Sequence, residues 1–183
     1  MSKTLNHKIQ GFQFNDGTYY FDTRVYLTSL NYLGSKKTSF YVTNFATDFF
    51  GVFTTSSTEP NVNIALKNID FYFTPTKESV RFSRETCLVY LQNIANCTVD
   101  GCKFISSNLA NSTFSPTDLF WVKSDSLNSL NITNSQFINS SGESHANNKD
   151  HLVGGCIWVS GINKNGTGTL KILIFLIAYF PQL

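Results

Sequence analysis

Apolar and polar residues alternate in several short segments of the chain, and these segments share one arrangement. CTVDGCKF (97–104) has apolar residues at alternate positions, then Gly101, then the alternation again in shifted phase. LNITNSQF (130–137) repeats the arrangement with Asn134 in place of the glycine. A period of two predicts β-strands, and the residue between the two runs predicts a sharp bend.

Three further octapeptides fit the same arrangement: HKIQGFQF (7–14), FYVTNFAT (40–47) and IALKNIDF (64–71). The third positions of the five copies lie 33, 24, 33 and 33 residues apart. The fifth position is always glycine or asparagine, at Gly11, Asn44, Asn68, Gly101 and Asn134. These two residue types tolerate a positive φ, so we expect a structural bend at each of them. The eighth position reads Phe14, Thr47, Phe71, Phe104 and Phe137 and predicts a ladder of phenylalanines in the interior.

A second set of strands is predicted between the copies, from the apolar runs LVYL (88–91), LFWV (119–122) and CIWV (156–159). Segments of this kind, stacked about 4.8 Å apart, form parallel sheets by pairing with the segment above and below. The sequence therefore predicts an all-β fold, a single-stranded parallel β-helix (a solenoid) of about five to six coils over residues 1–169. An antiparallel sandwich or jelly roll stays open as the alternative. Leucine-rich repeats do not fit, because no copy has their L-x-x-L-x-L-x-x-N frame.

The composition agrees with a folded β protein. Charged residues make up 14% and aromatic residues 15% of the 183 residues, and the net charge is +2. This balance does not suit a disordered chain, and no run of Lys or Arg exceeds two residues, so we expect no nucleic-acid partner.

The φ-x-φ-x-[G/N]-φ-x-F unit, in which φ is an apolar residue, resembles the coils of pectin-lyase-like right-handed parallel β-helix proteins over about residues 7–172. The stretch from Phe137 to Ile157 is similar to the F-x-x-N and G-G-A-I repeats of polymorphic outer-membrane surface proteins, with Asn one place early and Cys in place of Ala. The first resemblance implies a right-handed helix and includes polysaccharide lyases and hydrolases. The second implies an adhesin. Fold alone does not choose between these functions.

One small charged patch is the candidate site for an enzyme or a sugar-binding protein. The alignment of the copies places Lys67 beside Asp100 and Asp70 beside Lys103 on neighbouring coils. Cleavage of a sugar commonly uses a pair of carboxyl groups as acid and base. Two exposed ion pairs are the competing interpretation, which we favour. We therefore assign no catalytic residue, and a carbohydrate-active protein remains the alternative to a non-catalytic one.

Tyr90, Trp121 and Trp158 occupy one position of the second strand set and could form an outward aromatic stripe that binds sugars. We favour the alternative that they pack inward or under a loop, because each run is largely apolar, as expected where both faces of a sheet are covered. The three histidines and four cysteines show no metal-ligand spacing, so no metal or cofactor is expected. Cys97 and Cys102 are expected to be small buried side chains, with a disulfide across the bend left open.

Five Asn-x-Ser/Thr sequences are candidate N-glycosylation sites, at Asn96, Asn111, Asn131, Asn139 and Asn165. The N-terminus has no apolar core of a secretory signal, so a segment of a secreted protein and a complete intracellular protein both stay open. We expect an extracellular or cell-surface protein with polysaccharide or cell-surface glycan partners. The apolar tail 170–183 is interpreted as a cap, a partial membrane anchor or an artefact of the gene model, because Ile172–Phe180 is too short to span a bilayer.

Overall fold

The computed structural model describes residues 10–42, 52–73, 87–106, 118–138, 157–160 and 169–174. These residues form β-strands and connections without a helix. Every pairing between the described strands is parallel, which contradicts an antiparallel sandwich for this part of the chain. The prediction of an all-β, parallel architecture is confirmed.

The strands form two sheets. The first sheet contains β1 (Gly11–Gln13), β2 (Gly17–Phe21), β4 (Asn31–Val42), β6 (Val62–Phe73), β8 (Ile94–Asp100), β9 (Lys103–Ser106), β11 (Ser129–Ile138) and β13 (Thr169–Ile174). The second sheet contains β3 (Val25–Leu27), β5 (Phe53–Thr55), β7 (Cys87–Gln92), β10 (Asp118–Lys123) and β12 (Ile157–Ser160).

The chain passes repeatedly from the first sheet to the second and back, and among the described strands only β1 with β2 and β8 with β9 follow each other within one sheet. The order in the first sheet is β1-β4-β6-β8-β11-β13, with β2 also pairing β4, and with β9 pairing both β6 and β11. The order in the second sheet is β3-β5-β7-β10-β12. Within each sheet, the backbone groups of a strand pair with strands from the preceding and following passages of the chain through that sheet.

The core lies between the two sheets and contains the predicted phenylalanine ladder. Phe71, Phe104 and Phe137 are buried and in register, with ring centroids 5.0 and 4.8 Å apart and nearly parallel planes. Phe120 of β10 packs on Phe104 from the second sheet, at 5.4 Å. The ladder is thus shared by both sheets, as expected for the main apolar contact between them.

Three of the predicted bend residues have the expected backbone. Asn68, Gly101 and Asn134 have φ values of 54°, 64° and 51°. A Cβ atom on Gly101 would lie 2.5 Å from the Asn68 Oδ1 of the neighbouring strand, so the close stacking also limits the side chain there. Asn61 and Asn93 form a second pair of bends with φ of 54°, placed before Val62 and Ile94, which the octapeptide search missed.

The first two copies of the octapeptide are out of register with the other three, and Gly11 is a strand residue of β1 without a positive φ, contrary to the predicted bend. Gly11 pairs with Asn31, which pairs with Ala65, three residues before the bend at Asn68. Phe40, the first residue of the second copy, pairs with Phe71, the last residue of the third copy.

The physical reason for this error is an irregularity in β4. Four residues separate Leu33 from Thr38, whereas one residue separates their partners Lys67 and Ile69. A search at fixed spacing cannot follow such an insertion. Gly34 comes to lie next to Asn68, and an added Cβ there would meet the Asn68 carbonyl oxygen. Asn44 and Thr47 lie outside the described residues.

The C-terminal strand crosses the predicted domain boundary. Residues 169–172 of β13 pair in register with 129–132 of β11, and Ile174 pairs with Ser135 after an irregularity. Residues 175–183, which make up most of the predicted tail, lie outside the described part of the chain.

Candidate functional site

The four charged residues of the candidate patch lie on β6, β8 and β9 of the first sheet. Lys67 pairs with Asp100 and Asp70 with Lys103, as the alignment placed them. Lys103 Nζ lies 3.2 Å from Asp70 Oδ2, and this is the only ion pair among the described residues. Both side chains are partly exposed, so the pair is screened by solvent.

Asp100 makes its hydrogen bonds to the next strand. Its Oδ1 accepts from Asn134 Nδ2 at 2.8 Å and from Thr133 Oγ1 at 2.9 Å. These two donors, with a smaller contribution from the Lys67 ammonium, lower the pKa of the Asp100 carboxyl below its usual value. A carboxyl group held in its ionised form does not serve as a proton donor at neutral pH.

The predicted aromatic positions lie on the outer side of the second sheet. Phe120 and Val122 of β10 point into the core, so Trp121 between them points to the opposite face. Trp121 pairs in register with Tyr90 on one side and with Trp158 on the other. The Tyr90 and Trp121 rings are 4.8 Å apart. The side chain of Trp158 lies outside what the structure describes.

Two further residues extend this aromatic column, and the sequence search missed both. Thr54 of β5 pairs with Tyr90, and Tyr26 of β3 pairs with Thr54. Their strands, VYL and FTT, have only three residues each and show no clear alternation. We define the outer aromatic column as Tyr26, Thr54, Tyr90 and Trp121.

A groove of about 510 Å³ lies against the column at its Tyr26 end. Tyr26 is 62% exposed, whereas Tyr90 is only 4% exposed, so the column passes from an open rim into a covered floor. The described residues that line the groove come from four neighbouring strands and their ends, and they are Arg24, Tyr26, Thr54, Thr55, Ser56, Ser57, Tyr90, Gln92 and Lys123.

A second row of aromatic side chains lies on the outer side of the first sheet and was not predicted. Tyr20, Tyr41 and Tyr72 are in register, and the Tyr41 and Tyr72 rings stack at 4.4 Å with an angle of 8°. Burial, the nearby Asp70 carboxylate and Tyr41 raise the pKa of Tyr72. The sequence contains a pattern that would have predicted this row: each of the three tyrosines directly follows a core phenylalanine or tyrosine.

Cys97 and Cys102 are buried free thiols, as expected for core residues. Burial raises the pKa of Cys97 and of Cys102 to about 12. The Cys102 thiol donates to the Leu66 carbonyl oxygen at 3.4 Å. Cys97 and Cys102 are not joined in a disulfide, and Cys87 is a buried residue of β7.

Two of the candidate glycosylation sites are described. Asn96 is exposed on β8; its amide donates to Asn63 Oδ1 at 2.6 Å, and its own oxygen accepts from Ser129 Oγ at 2.8 Å. Asn131 is partly exposed on β11. The remaining candidates lie outside the described residues, and they are Asn111, Asn139 and Asn165.

Among the described residues, no three His, Cys, Asp or Glu side chains are grouped as metal ligands would be. Nor does this part of the chain contain a helix with the length and apolar character needed to cross a bilayer. No family model, curated protein or solved structure matches the chain, so its resemblance to pectin-lyase-like and outer-membrane surface proteins stays a prediction from the residues.

Proposed function

We propose that the chain is a right-handed parallel β-helix of about five to six coils. The alternation of the chain between two sheets supports this proposal, as do the parallel pairing and the register of strands about 33 residues apart. The bends at Asn68, Gly101 and Asn134 repeat at the same place in successive segments, as coils of one solenoid require.

On this fold, the chain acts as a non-catalytic, glycan-binding segment of an extracellular or cell-surface protein, with a role in adhesion. One observation carries the proposal: the outer aromatic column lies on the face away from the core, and its Tyr26, Thr54 and Tyr90 line a groove. The exposed ring of Tyr26 suits the apolar face of a sugar ring, and the side chains of Ser56, Ser57 and Gln92 on the groove lining suit its polar edges.

The charged patch supports a structural role better than a catalytic one. The Asp70 carboxylate is held by Lys103, and the Asp100 carboxylate accepts two hydrogen bonds that lower its pKa. Retaining or inverting hydrolysis needs one carboxyl group that stays protonated near neutral pH, and the hydrogen bonds to Asp100 favour its ionised form instead. Polysaccharide cleavage is therefore the second candidate, and the same experiment tests it.

The test is a glycan array probed with the purified chain and followed by analysis of the supernatant for released sugar. We expect binding without release, and a loss of affinity of about tenfold in Trp121→Ala. Tyr20→Ala is the matched control, because Tyr20 is an exposed aromatic residue on the other sheet, and it should bind as the wild type does.

Two results would contradict the proposal. Equal affinity of Trp121→Ala and wild type for every bound glycan would remove the outer aromatic column from the binding site. If the wild type releases sugar and Asp100→Asn or Asp70→Asn does not, the function would be catalysis at the charged patch and not adhesion.

A further inference from the structure

The groove beside the outer aromatic column carries positive charge. Arg24 lies just before β3 and Lys123 ends β10, so the two cations approach the groove from different strands. None of the described lining residues is acidic, and neither cation has an ion-pair partner within the described part of the chain. Two cations in a concave surface without a counter-ion favour the binding of an anion.

The Arg24 guanidinium has donors without acceptors. Its Nε and Nη2 atoms are buried and have no hydrogen-bond partner. Buried polar groups are nearly always paired, so an unpaired pair of N–H groups on a charged side chain requires an explanation. These two nitrogens form one edge of the planar guanidinium, and their N–H bonds run parallel, with the spacing that matches two oxygens of a carboxylate or sulfate group.

The Nε and Nη2 edge of Arg24 makes no hydrogen bond within the protein. A rotation of the guanidinium that turns this edge toward the groove therefore breaks no hydrogen bond. An oxyanion in the groove would then accept both N–H groups of Arg24, with the Lys123 ammonium as a second positive charge. The hydroxyl groups of Ser56 and Tyr26 lie on the same lining and can donate as well.

We propose that the groove is an oxyanion-binding site in which Arg24 makes a bidentate contact and Lys123 adds charge. The inference rests on the proposed function in one respect, namely that the oxyanion is a sulfate or carboxylate group carried by a glycan. The ligand class is thereby narrowed from glycans in general to acidic glycans.

The first experiment measures affinity for three polymers with one backbone: dextran, carboxymethyl dextran and dextran sulfate. Binding of either charged polymer above neutral dextran is expected, and the preferred polymer distinguishes a carboxylate from a sulfate. Arg24→Gln should weaken that binding by about tenfold or more. Arg24→Lys keeps the charge but loses the planar fork and should be weakened as well.

Lys37→Gln is the matched control, because Lys37 is exposed on the first sheet and its loss changes the net charge by the same amount. Equal weakening in Lys37→Gln and Arg24→Gln would overturn the proposal, since the binding would then follow net charge alone. So would wild-type affinity in Arg24→Lys, or no preference for charged over neutral dextran.

The second experiment observes the site without any glycan. The Arg24 Nε–H signal in a ¹⁵N NMR spectrum, assigned through Arg24→Lys, is followed during titration with sodium sulfate against sodium chloride of equal ionic strength. A saturating shift with sulfate is expected, and a shift that is equal with chloride would overturn the site.

The two proposals fail separately in these experiments. A sulfate-dependent Arg24 signal without binding on the glycan array retains the oxyanion site and removes glycan adhesion. Binding to neutral glycans that depends on Trp121, without any response of Arg24 to sulfate, retains adhesion and removes the oxyanion site.

Discussion

Asn68, Gly101 and Asn134 hold the same left-handed backbone conformation although their side chains differ. A positive φ costs most residues about 1–2 kcal/mol, because the Cβ atom approaches the following carbonyl oxygen. Glycine avoids the cost, and asparagine lowers it. The residue type at these three positions is therefore dictated by the backbone, which is why the sequence alone could identify them.

Gly101→Ala should destabilise the fold by about 2 kcal/mol, because its φ of 64° becomes strained and the new Cβ meets the Asn68 side chain. The free energy of unfolding from urea denaturation measures the effect. Asn68→Gly is the control: it keeps the positive φ and should cost no more than about 1 kcal/mol. Equal losses in the two variants would mean that the left-handed conformation is not what limits these positions.

The burial of the Cys97 thiol should make the stability of the fold depend on pH. The unfolded thiol ionises near its ordinary value of 9.0, whereas burial raises the folded pKa to about 12. Above pH 9 the unfolded state therefore binds fewer protons than the folded state, and stability falls as the pH rises. The wild type should lose about 1.4 kcal/mol per pH unit more than Cys97→Ala between these values. Parallel pH profiles of the two proteins would contradict the burial of this thiol.

The core strands of the first sheet each place one aromatic ring in a shared ladder and another side chain on the outer face. The inner set at Phe71, Phe104 and Phe137 could be predicted, because it repeats at a constant spacing. Phe40 was missed as a member of the ladder, because the extra residues in β4 shift its position in the sequence. The outer tyrosine row was missed for a different reason: Tyr72 lies just beyond the last position of its octapeptide, and Tyr41 belongs to a copy that is out of register.

Phe104→Ala should destabilise the protein by about 3–5 kcal/mol, since it removes a fully buried ring that stacks on Phe71 and Phe137. Tyr41→Ala removes a ring from the outer side of the same sheet and should cost clearly less. Both values come from chemical denaturation under the same conditions. A loss from Tyr41→Ala equal to that from Phe104→Ala would contradict the assignment of inner and outer faces.

The ion pair between Lys103 and Asp70 should contribute little to stability. A double-mutant cycle with Lys103→Met and Asp70→Asn is expected to give a coupling energy below about 1 kcal/mol, falling further in high salt. Both side chains are partly exposed, so water screens their attraction. A coupling of several kcal/mol that persists in high salt would indicate a desolvated pair and reopen the charged patch as a functional site.

At the scale of the whole molecule, the parallel architecture could be predicted and the groove beside the outer aromatic column could not. Repetition at a spacing of 33 residues predicts which residues stack, because neighbouring segments pair in register. It does not predict which face of a wholly apolar strand is outward, as at Tyr90 and Trp121. Nor does it reveal Arg24, which lies in a connection outside the repeated octapeptides and joins the groove only through the fold.

The parallel fold requires successive segments of the chain to lie side by side in register. Nuclear Overhauser contacts between ring protons of Phe71, Phe104 and Phe137 test this most directly, with each ring assigned through its Phe→Leu variant. Contacts are expected from Phe104 to both other rings, whose centroids lie 5.0 and 4.8 Å away, and no contact is expected between Phe71 and Phe137. Contacts of Phe104 with neither ring, or a direct contact between Phe71 and Phe137, would contradict the parallel register.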